Sequence, residues 1–291
     1  ICSYPMFAVA CLLFVSIQAL QLLNMYVFIR EQSFTEYCNA YFRNLKRNVF
    51  WGTYPMGFAT IINYIVSLAR YEVQSTVQAK RMMRLAYVFW WYDVAISLFC
   101  AWGISFLIWQ KYYFLEDKDE YQSLNDRMAT EELKSVLLML FIPLVVAASS
   151  SSIFTMSDLF SDTFNRDIQL MTMVVTTLIW LNAIILVFIF IVIYFWSLYV
   201  NKIPPLRQVF TLFLLIGPMG QGSFGILLLT DNIRLYVDKY YSNTGQDMNY
   251  DILLLVIPWC FKILGLMAAL ALLAMGFFFS VLCFISIASY F

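Results

Sequence analysis

The run LMTMVVTTLIWLNAIILVFIFIVIYFWSLYV, residues 170–200, decides the fold class of this chain. It carries no charged residue and is apolar nearly all round, from Leu178 through Val192 to Trp196. Crossing the hydrocarbon core of a bilayer takes about 20 mostly apolar residues. Because backbone groups in lipid must bond to one another, runs of this length form helices rather than barrel strands. The run therefore predicts a membrane-spanning helix that faces lipid.

The rest of the chain has a matching composition. Apolar residues fill 62% of the 291 positions and charged residues 12%, whereas an average soluble domain is about half apolar and about a quarter charged. We therefore predict an all-α polytopic membrane protein, with residues 1–291 in a single transmembrane domain. The predicted spans are about 4–29, 49–69, 85–109, 134–157, 170–200, 209–230 and 252–290. The seventh is long enough for a strongly tilted helix, or for a span preceded by an interfacial turn.

Several classes of protein are disfavoured by what the sequence lacks. It contains no histidine, which disfavours His-dependent zinc sites, Ser-His triads and His proton relays. The six cysteines form no CxxC pair and resemble the small apolar residues of spans. The net charge is zero, so no overall field points to nucleic acid, and no soluble-enzyme motif occurs. We predict no enzymatic activity, no cofactor, no metal and no nucleic-acid partner.

Proline and small residues recur in alternate spans. The second, fourth and sixth spans carry Pro55, Pro143 and Pro218 near their first third, which indicates a repeated two-helix unit. The same spans carry small or polar residues at helical spacing. A helix with such a stripe faces protein or water, so we predict an inner set of proline-bearing helices and an outer set facing lipid. The stripes comprise Thr53, Gly57, Thr60, Tyr64 and Ser67, then Ser149, Ser150, Ser151, Ser152 and Thr155, then Gly217, Gly220, Gln221 and Phe224.

The inner helices suggest a pathway for a solute. Proline removes a backbone hydrogen bond, glycine permits close approach, and broken helix ends with hydroxyl groups offer N–H and O–H donors to an anion. The inner spans lack a central carboxylate, which disfavours a cation path. Close packing of helices, with serines bonding back to their own helix, remains the alternative. The candidate pathway residues are Thr53, Pro55, Gly57, Thr60, Pro143, Ser149, Ser152, Pro218, Gly220, Gln221 and Phe224.

Charged residues give an orientation and two further candidates. Lys and Arg in alternate loops count nine on the side of residues 30–48 and seven on the other, which weakly favours the first side as cytoplasmic. Asp93 and Lys262 lie within apolar runs. Charges in a membrane are costly and often functional. For Asp93 and Lys262 we expect either a structural pairing with another side chain or a position at the interface between membrane and water.

Six stretches of the sequence are recognisable as motifs. They are Trp51–Gly57, Trp90–Asp93, Pro143–Ser150, Asn201–Pro205, Gly217–Gly225 and Pro258–Lys262. Together they closely resemble the fungal sulfite exporters of the tellurite-resistance and dicarboxylate transporter family, which also includes plant guard-cell slow anion channels. The similarity covers essentially the whole chain.

The resemblance implies an architecture. Members of this family have ten helices in five hairpins, and the odd-numbered helix of each hairpin lines a central pore. Aligned on these motifs, the chain begins at the second helix and stops after the eighth, so it is expected to be a fragment. One further span is then expected before Ile1 and two after Phe291, and the phenylalanine that plugs the pore is expected on the ninth helix. The proline-bearing spans correspond to family helices three, five and seven.

The resemblance also implies a function. It implies export of sulfite or bisulfite, a small inorganic anion, from the cytoplasm by a multi-pass protein of the plasma membrane. Spacing and composition do not select sulfite over malate, nitrate or chloride, so a dicarboxylate transporter of the same family is the main alternative. A seven-span receptor is suggested only by the number of spans, and a membrane enzyme would need clustered catalytic groups. The sequence leaves open whether transport is proton-linked or channel-like, and which oligomer forms, a homo-oligomer included.

Overall fold

The computed structural model describes residues 3–114, 135–201, 210–241 and 248–289, and these residues are helical nearly throughout. No strand occurs within these ranges, and the predicted all-α membrane fold is confirmed. Between Glu31 and Thr53 the chain forms only short helical turns. The seven main helices are α1 (Ser3–Glu31), α2 (Thr53–Tyr71), α3 (Thr76–Leu98), α4 (Ile142–Thr155), α5 (Arg166–Asn201), α6 (Ile216–Tyr241) and α7 (Met248–Ala288).

Each predicted span overlaps one of these helices, although the ends differ. α3 continues through a π-helical turn, Phe99–Ile104, into a helix over Ser105–Phe114. The seventh span is one unbroken helix with Pro258 inside it. Within the described ranges, five helices are long and apolar enough to cross a membrane, and α2 and α4 are not among them. Their assignment as spans stays a prediction. The five are Tyr4–Glu31, Thr76–Gln110, Arg166–Trp196, Thr211–Tyr241 and Val256–Ala288.

The helix α4 is the centre of the bundle. It packs against α2, α3, α5 and α6, while α2 pairs with α3 and α6 pairs with α7. Most of its side chains are buried, including the apolar Leu144, Val145 and Phe154. The most apolar window of α1, by contrast, is not buried at all. The proline-bearing helices α2, α4 and α6 therefore form a row, with α3, α5 and α7 packed around it, as the polarity of the spans predicted.

The three prolines begin helices rather than bend them. Pro143 lies in the first turn of α4, and Pro55 and Pro218 are the third residues of α2 and α6. A proline is well tolerated in a first turn because its missing N–H would have no partner there. A 3₁₀ turn precedes each of these helices, and the three turns pack side by side. They are Val49–Gly52, Ser135–Leu140 and Phe210–Leu215.

Candidate functional site

The starts of α2, α4 and α6 come together at one level of the bundle. Gly52 permits the closest contact, because a Cβ atom there would lie 1.9 Å from the backbone oxygen of Met139. The preceding 3₁₀ turns already pair N–H groups here, as Thr53 N–H bonds to Phe50 O and Leu144 N–H bonds to Phe141 O, but each helix start still carries the positive end of its dipole. The packing of the three turns therefore gathers three positive helix ends, which favour negative charge.

Hydrogen bonds and a glycine fix the rotation of α4. Asn63 of α2 donates from Nδ2 to Ser150 Oγ over 3.1 Å. On the other side, Gly225 of α6 packs on Ser149, whose Cβ would lie 3.2 Å from a Cβ at this glycine. Ser151 forms a hydrogen bond with Thr176 of α5. Three residues of the serine run therefore meet three different neighbours, α6, α2 and α5, and a pathway role of the run stays a prediction.

A concave face lies between α2 and α6. Since Ser150 points to α2 and Ser149 points to α6, helical periodicity aims Val146 and Ile153 of α4 between the two neighbours. Both residues are half-buried. The same periodicity, taken from Asn63 on α2 and Gly225 on α6, places the exposed residues of both helices on this side of α4. These exposed residues are Thr53, Thr60 and Ser67 on α2, and Gly217, Gly220, Gln221 and Phe224 on α6.

The structure brings some predicted pathway residues to this face and buries others. Ser149 and Ser152 donate to Val146 O over 2.9 Å and Ala148 O over 3.2 Å, so their hydroxyls bond back to their own helix. A pathway role for the predicted residues stays a prediction. Exposed on the concave side are Thr53, Thr60, Gly220, Gln221 and Phe224, with Gly57 half-buried; buried are Pro55, Pro143, Ser149, Ser152 and Pro218.

A cavity of about 440 Å³, lined by aromatic and polar residues, adjoins one end of the face. Thr53 and Gly57 line it, as do polar residues that the sequence reasoning missed. Arg47 is its one Lys, Arg, Asp or Glu side chain among the described residues, and its guanidinium lies 5.3 Å from the centre of the Tyr41 ring. The missed polar residues are Gln18, Gln21, Asn24 and Arg47. For the three on α1, Gln18, Gln21 and Asn24, the signal was a spacing of three residues within a mostly apolar helix, and Arg47 had no such signal.

The two charges within apolar runs have different surroundings. Lys262 donates from Nζ to Asp231 Oδ1 over 2.9 Å, so the expected structural pairing is confirmed for this lysine. Asp93 is 1% exposed, and neither of its carboxyl oxygens has a partner among the residues that the structure describes. The expected pairing is therefore wrong for Asp93. No group of three or more His, Cys, Asp or Glu residues that could hold a metal occurs in the described ranges.

Helical hairpins packed around a row of proline-started helices, with long apolar helices among the described residues, place the chain in the class of polytopic helical membrane proteins. The chain matches the SLAC1 family, described as voltage-dependent anion channel, over residues 1–291, and it belongs to that family. The resemblance found from the motifs is thereby confirmed.

Curated relatives are fungal. The chain is 59% identical over its whole length to a sulfite efflux pump of Saccharomyces cerevisiae, and it covers 64% of that protein. It is 28% identical over 85% of its length to a sulfite efflux pump of Arthroderma benhamiae, covering 62% of it. It is 26% identical over 82% of its length to one of Candida albicans, covering 43% of it. The chain thus spans less than two thirds of the length of these relatives. No solved structure matches it significantly.

Proposed function

We propose that this chain belongs to a transporter that exports sulfite or bisulfite from the cytoplasm across the plasma membrane. The observation that carries the proposal is the concave face, on which the starts of α2, α4 and α6 meet exposed hydroxyl, amide and glycine positions. The choice of sulfite rests on the 59% identity to the pump of Saccharomyces cerevisiae. A dicarboxylate such as malate is the second candidate, because the same donors suit any small anion.

The face suits weak anion binding. Positive helix ends and the exposed Gln221 side chain attract an anion without fixing it by a full charge, as conduction requires. The exposed hydroxyls of Thr53, Thr60 and Ser67 donate to Phe50 O, Gly57 O and Asn63 O, so they would have to rotate to bind an anion. Asp231 of α6 is neutralised by Lys262, so its carboxylate does not oppose an anion strongly. The cavity next to α1 places Arg47 at the end of the face that carries residues 30–48. The number of Lys and Arg residues in the loops favours this end as cytoplasmic. Arg47 would therefore draw anions from the cytoplasm towards the concave face.

Export by the full-length gene product tests the proposal. Expression in a yeast that lacks its own sulfite exporter should restore growth on sulfite and raise the rate at which preloaded cells release it. Release of malate from the same cells tests the second candidate. Full surface expression with no gain in sulfite release would contradict the proposal, and a gain for malate alone would favour the dicarboxylate transporter.

Cysteine labelling tests which exposed residues meet water. In a background without the native cysteines, Thr60→Cys and Gln221→Cys should react with a membrane-impermeant thiol reagent. Val192→Cys on α5 is the matched control, because Val192 is 67% exposed but belongs to the apolar outer set. A thiol in lipid is protected since the thiolate, which reacts, needs water. Equal labelling at all three positions would contradict the assignment of the concave face.

Ser152→Cys separates two forms of the pathway. Ser152 is 1% exposed, so in this conformation its cysteine should label more slowly than the cysteine at position 60. Labelling that sulfite accelerates would show that the serine run opens during transport.

A further inference from the structure

We propose that the Asp93 carboxyl is a proton-binding site inside the membrane, and that it links anion movement to proton movement. The coupling of anion movement to proton movement rests on the proposed function, whereas the proton-binding site itself does not. Asp93 differs from Lys262, the other charge in an apolar run, in having no partner in the described part of the chain.

The surroundings of Asp93 exclude a stable negative charge at rest. Asp93 is 1% exposed, and Ser97, one helical turn further on the same face, is fully buried with an unpartnered hydroxyl. An ionised carboxylate buried without a partner costs several kcal/mol or more, and such a group neutralises instead. A protonated carboxyl needs only an acceptor, which a rotated Ser97 hydroxyl can supply.

The described elements packed around α3 bring no cation to the level of Asp93, since Arg70 of α2 lies in the last turn of that helix, far from Tyr54. Two titratable side chains are close enough to Asp93 to interact with it electrostatically. They are Tyr54 of α2 and Cys100, which lies in the π-helical turn that continues α3. The helix α4 and the turns Val49–Gly52 and Ser135–Leu140 contain no titratable side chain. The helix α5 carries no Lys, Arg, Asp or Glu from residue 168 to residue 196. The nearest titratable groups are therefore neutral, and only the carboxyl itself changes charge readily.

Two contacts fix the height of Asp93 in the bundle. Trp90 Nε1 donates to Ala147 O over 2.9 Å, and the Tyr92 and Tyr54 hydroxyls share a hydrogen bond of 3.3 Å. Because α3 runs opposite to α4, Asp93 lies nearly one turn beyond Trp90 towards the start of α4. Tyr54 is the second residue of α2. The carboxyl thus lies at the level of the positive starts of α2 and α4.

This position provides a coupling mechanism. An ionised Asp93 and an anion on the concave face would both be stabilised by the same positive helix ends. An anion on the face therefore favours protonated Asp93, and by reciprocity a protonated Asp93 favours the anion. A proton and an anion should then move together. Tyr54, which is close enough to Asp93 to interact with it electrostatically, also lines the 440 Å³ cavity, so release of the proton is expected on this side of the carboxyl.

Proteoliposomes with the full-length gene product test both parts. The C=O stretch of a protonated carboxyl should appear in infrared spectra of the wild type at neutral pH and disappear in Asp93→Asn. Sulfite flux driven by a pH gradient should fall by about tenfold or more in Asp93→Asn, whereas sulfite exchange at equal pH should persist. Asp93→Glu, which keeps a carboxyl, should retain the gradient-driven flux with a shifted pH midpoint.

The outcomes separate the inference from the proposed function. A wild type without the infrared band, or an Asp93→Asn variant with undiminished gradient-driven flux, would overturn the inference. A wild type that exchanges no sulfite would overturn the proposed function, while the infrared band would still decide the proton site. If Asp93→Asn misfolds, the Asp93→Glu variant provides the test. The proton role would be contradicted if this variant exchanged sulfite at the normal rate but lost the gradient-driven flux and showed no pH midpoint in its sulfite transport.

Discussion

Replacing Gly52 by alanine is expected to prevent most of the protein from folding. A Cβ at residue 52 would lie 1.9 Å from Met139 O and 2.8 Å from Met139 C, both backbone atoms. Overpacking that side chains can absorb costs about 1–3 kcal/mol. Backbone cannot rotate away, so the turns Val49–Gly52 and Ser135–Leu140 would have to separate. We therefore expect a loss of stability above about 3 kcal/mol, a large part of the stability of a typical domain.

The measurement is the fraction of detergent-solubilised protein that elutes as a single species, together with its thermal unfolding. Gly220→Ala is the matched control, because a Cβ at Gly220 meets nothing within 4 Å. The control should elute and unfold like the wild type. Wild-type behaviour of Gly52→Ala would mean that the two turns do not touch as described, and the convergence of the three helix starts would lose its main support.

The alternation of inner and outer helices could be predicted because it follows from the spacing of polar and apolar side chains along each helix. Thr53, Thr60 and Ser67 repeat every seven residues in α2, and this pattern depends only on helix geometry. The exposed side of α5 is likewise visible from its sequence, as at Val192. The polarity of the side chains and their helical spacing therefore identified which helices have a polar stripe on one side.

The role of the prolines could not be predicted in the same way. A proline in a first turn and a proline in mid-helix look alike when the preceding residues are apolar. The residues before Pro143 form a 3₁₀ turn, and this turn has no hydrophobic period that distinguishes it from α-helix. The contact of Gly52 with Met139 joins segments that are far apart in sequence, so only the tertiary structure shows why this glycine is needed.

The serine run was undecided for a different reason. Four consecutive serines point in four directions, so their roles depend on which helix lies on each side. In the structure Ser150 meets Asn63, Ser151 meets Thr176, and Ser149 meets Gly225. A single sequence contains no record of these neighbours. For the same reason the sequence predicted that Lys262 would be paired but did not identify its partner, and it did not predict that Asp93 would lack one.

Replacing Gly220 by leucine is expected to stop sulfite export without unfolding the protein. We predicted from the sequence that glycines 57 and 220 sit where helices or solute approach closely. The structure shows open space around a Cβ at Gly220 and only Phe14 ring atoms 3.8 Å from one at Gly57. Leucine at residue 220 would therefore project onto the concave face rather than into a neighbouring helix. Export should fall by about tenfold or more, because a pathway narrowed by side-chain atoms cannot adjust as a packed core does.

Sulfite release from cells with matched surface expression measures this effect. Ile185→Phe is the matched control, since it enlarges a residue that is 56% exposed on the outer helix α5, and its export should be normal. Pro218→Ala should be milder than Gly220→Leu, because alanine fits a first helical turn and adds only one N–H donor. If Gly220→Leu reaches the surface and exports normally while Pro218→Ala fails, the geometry of the helix start carries the function. The solute would then pass elsewhere than over the face formed by α2, α4 and α6.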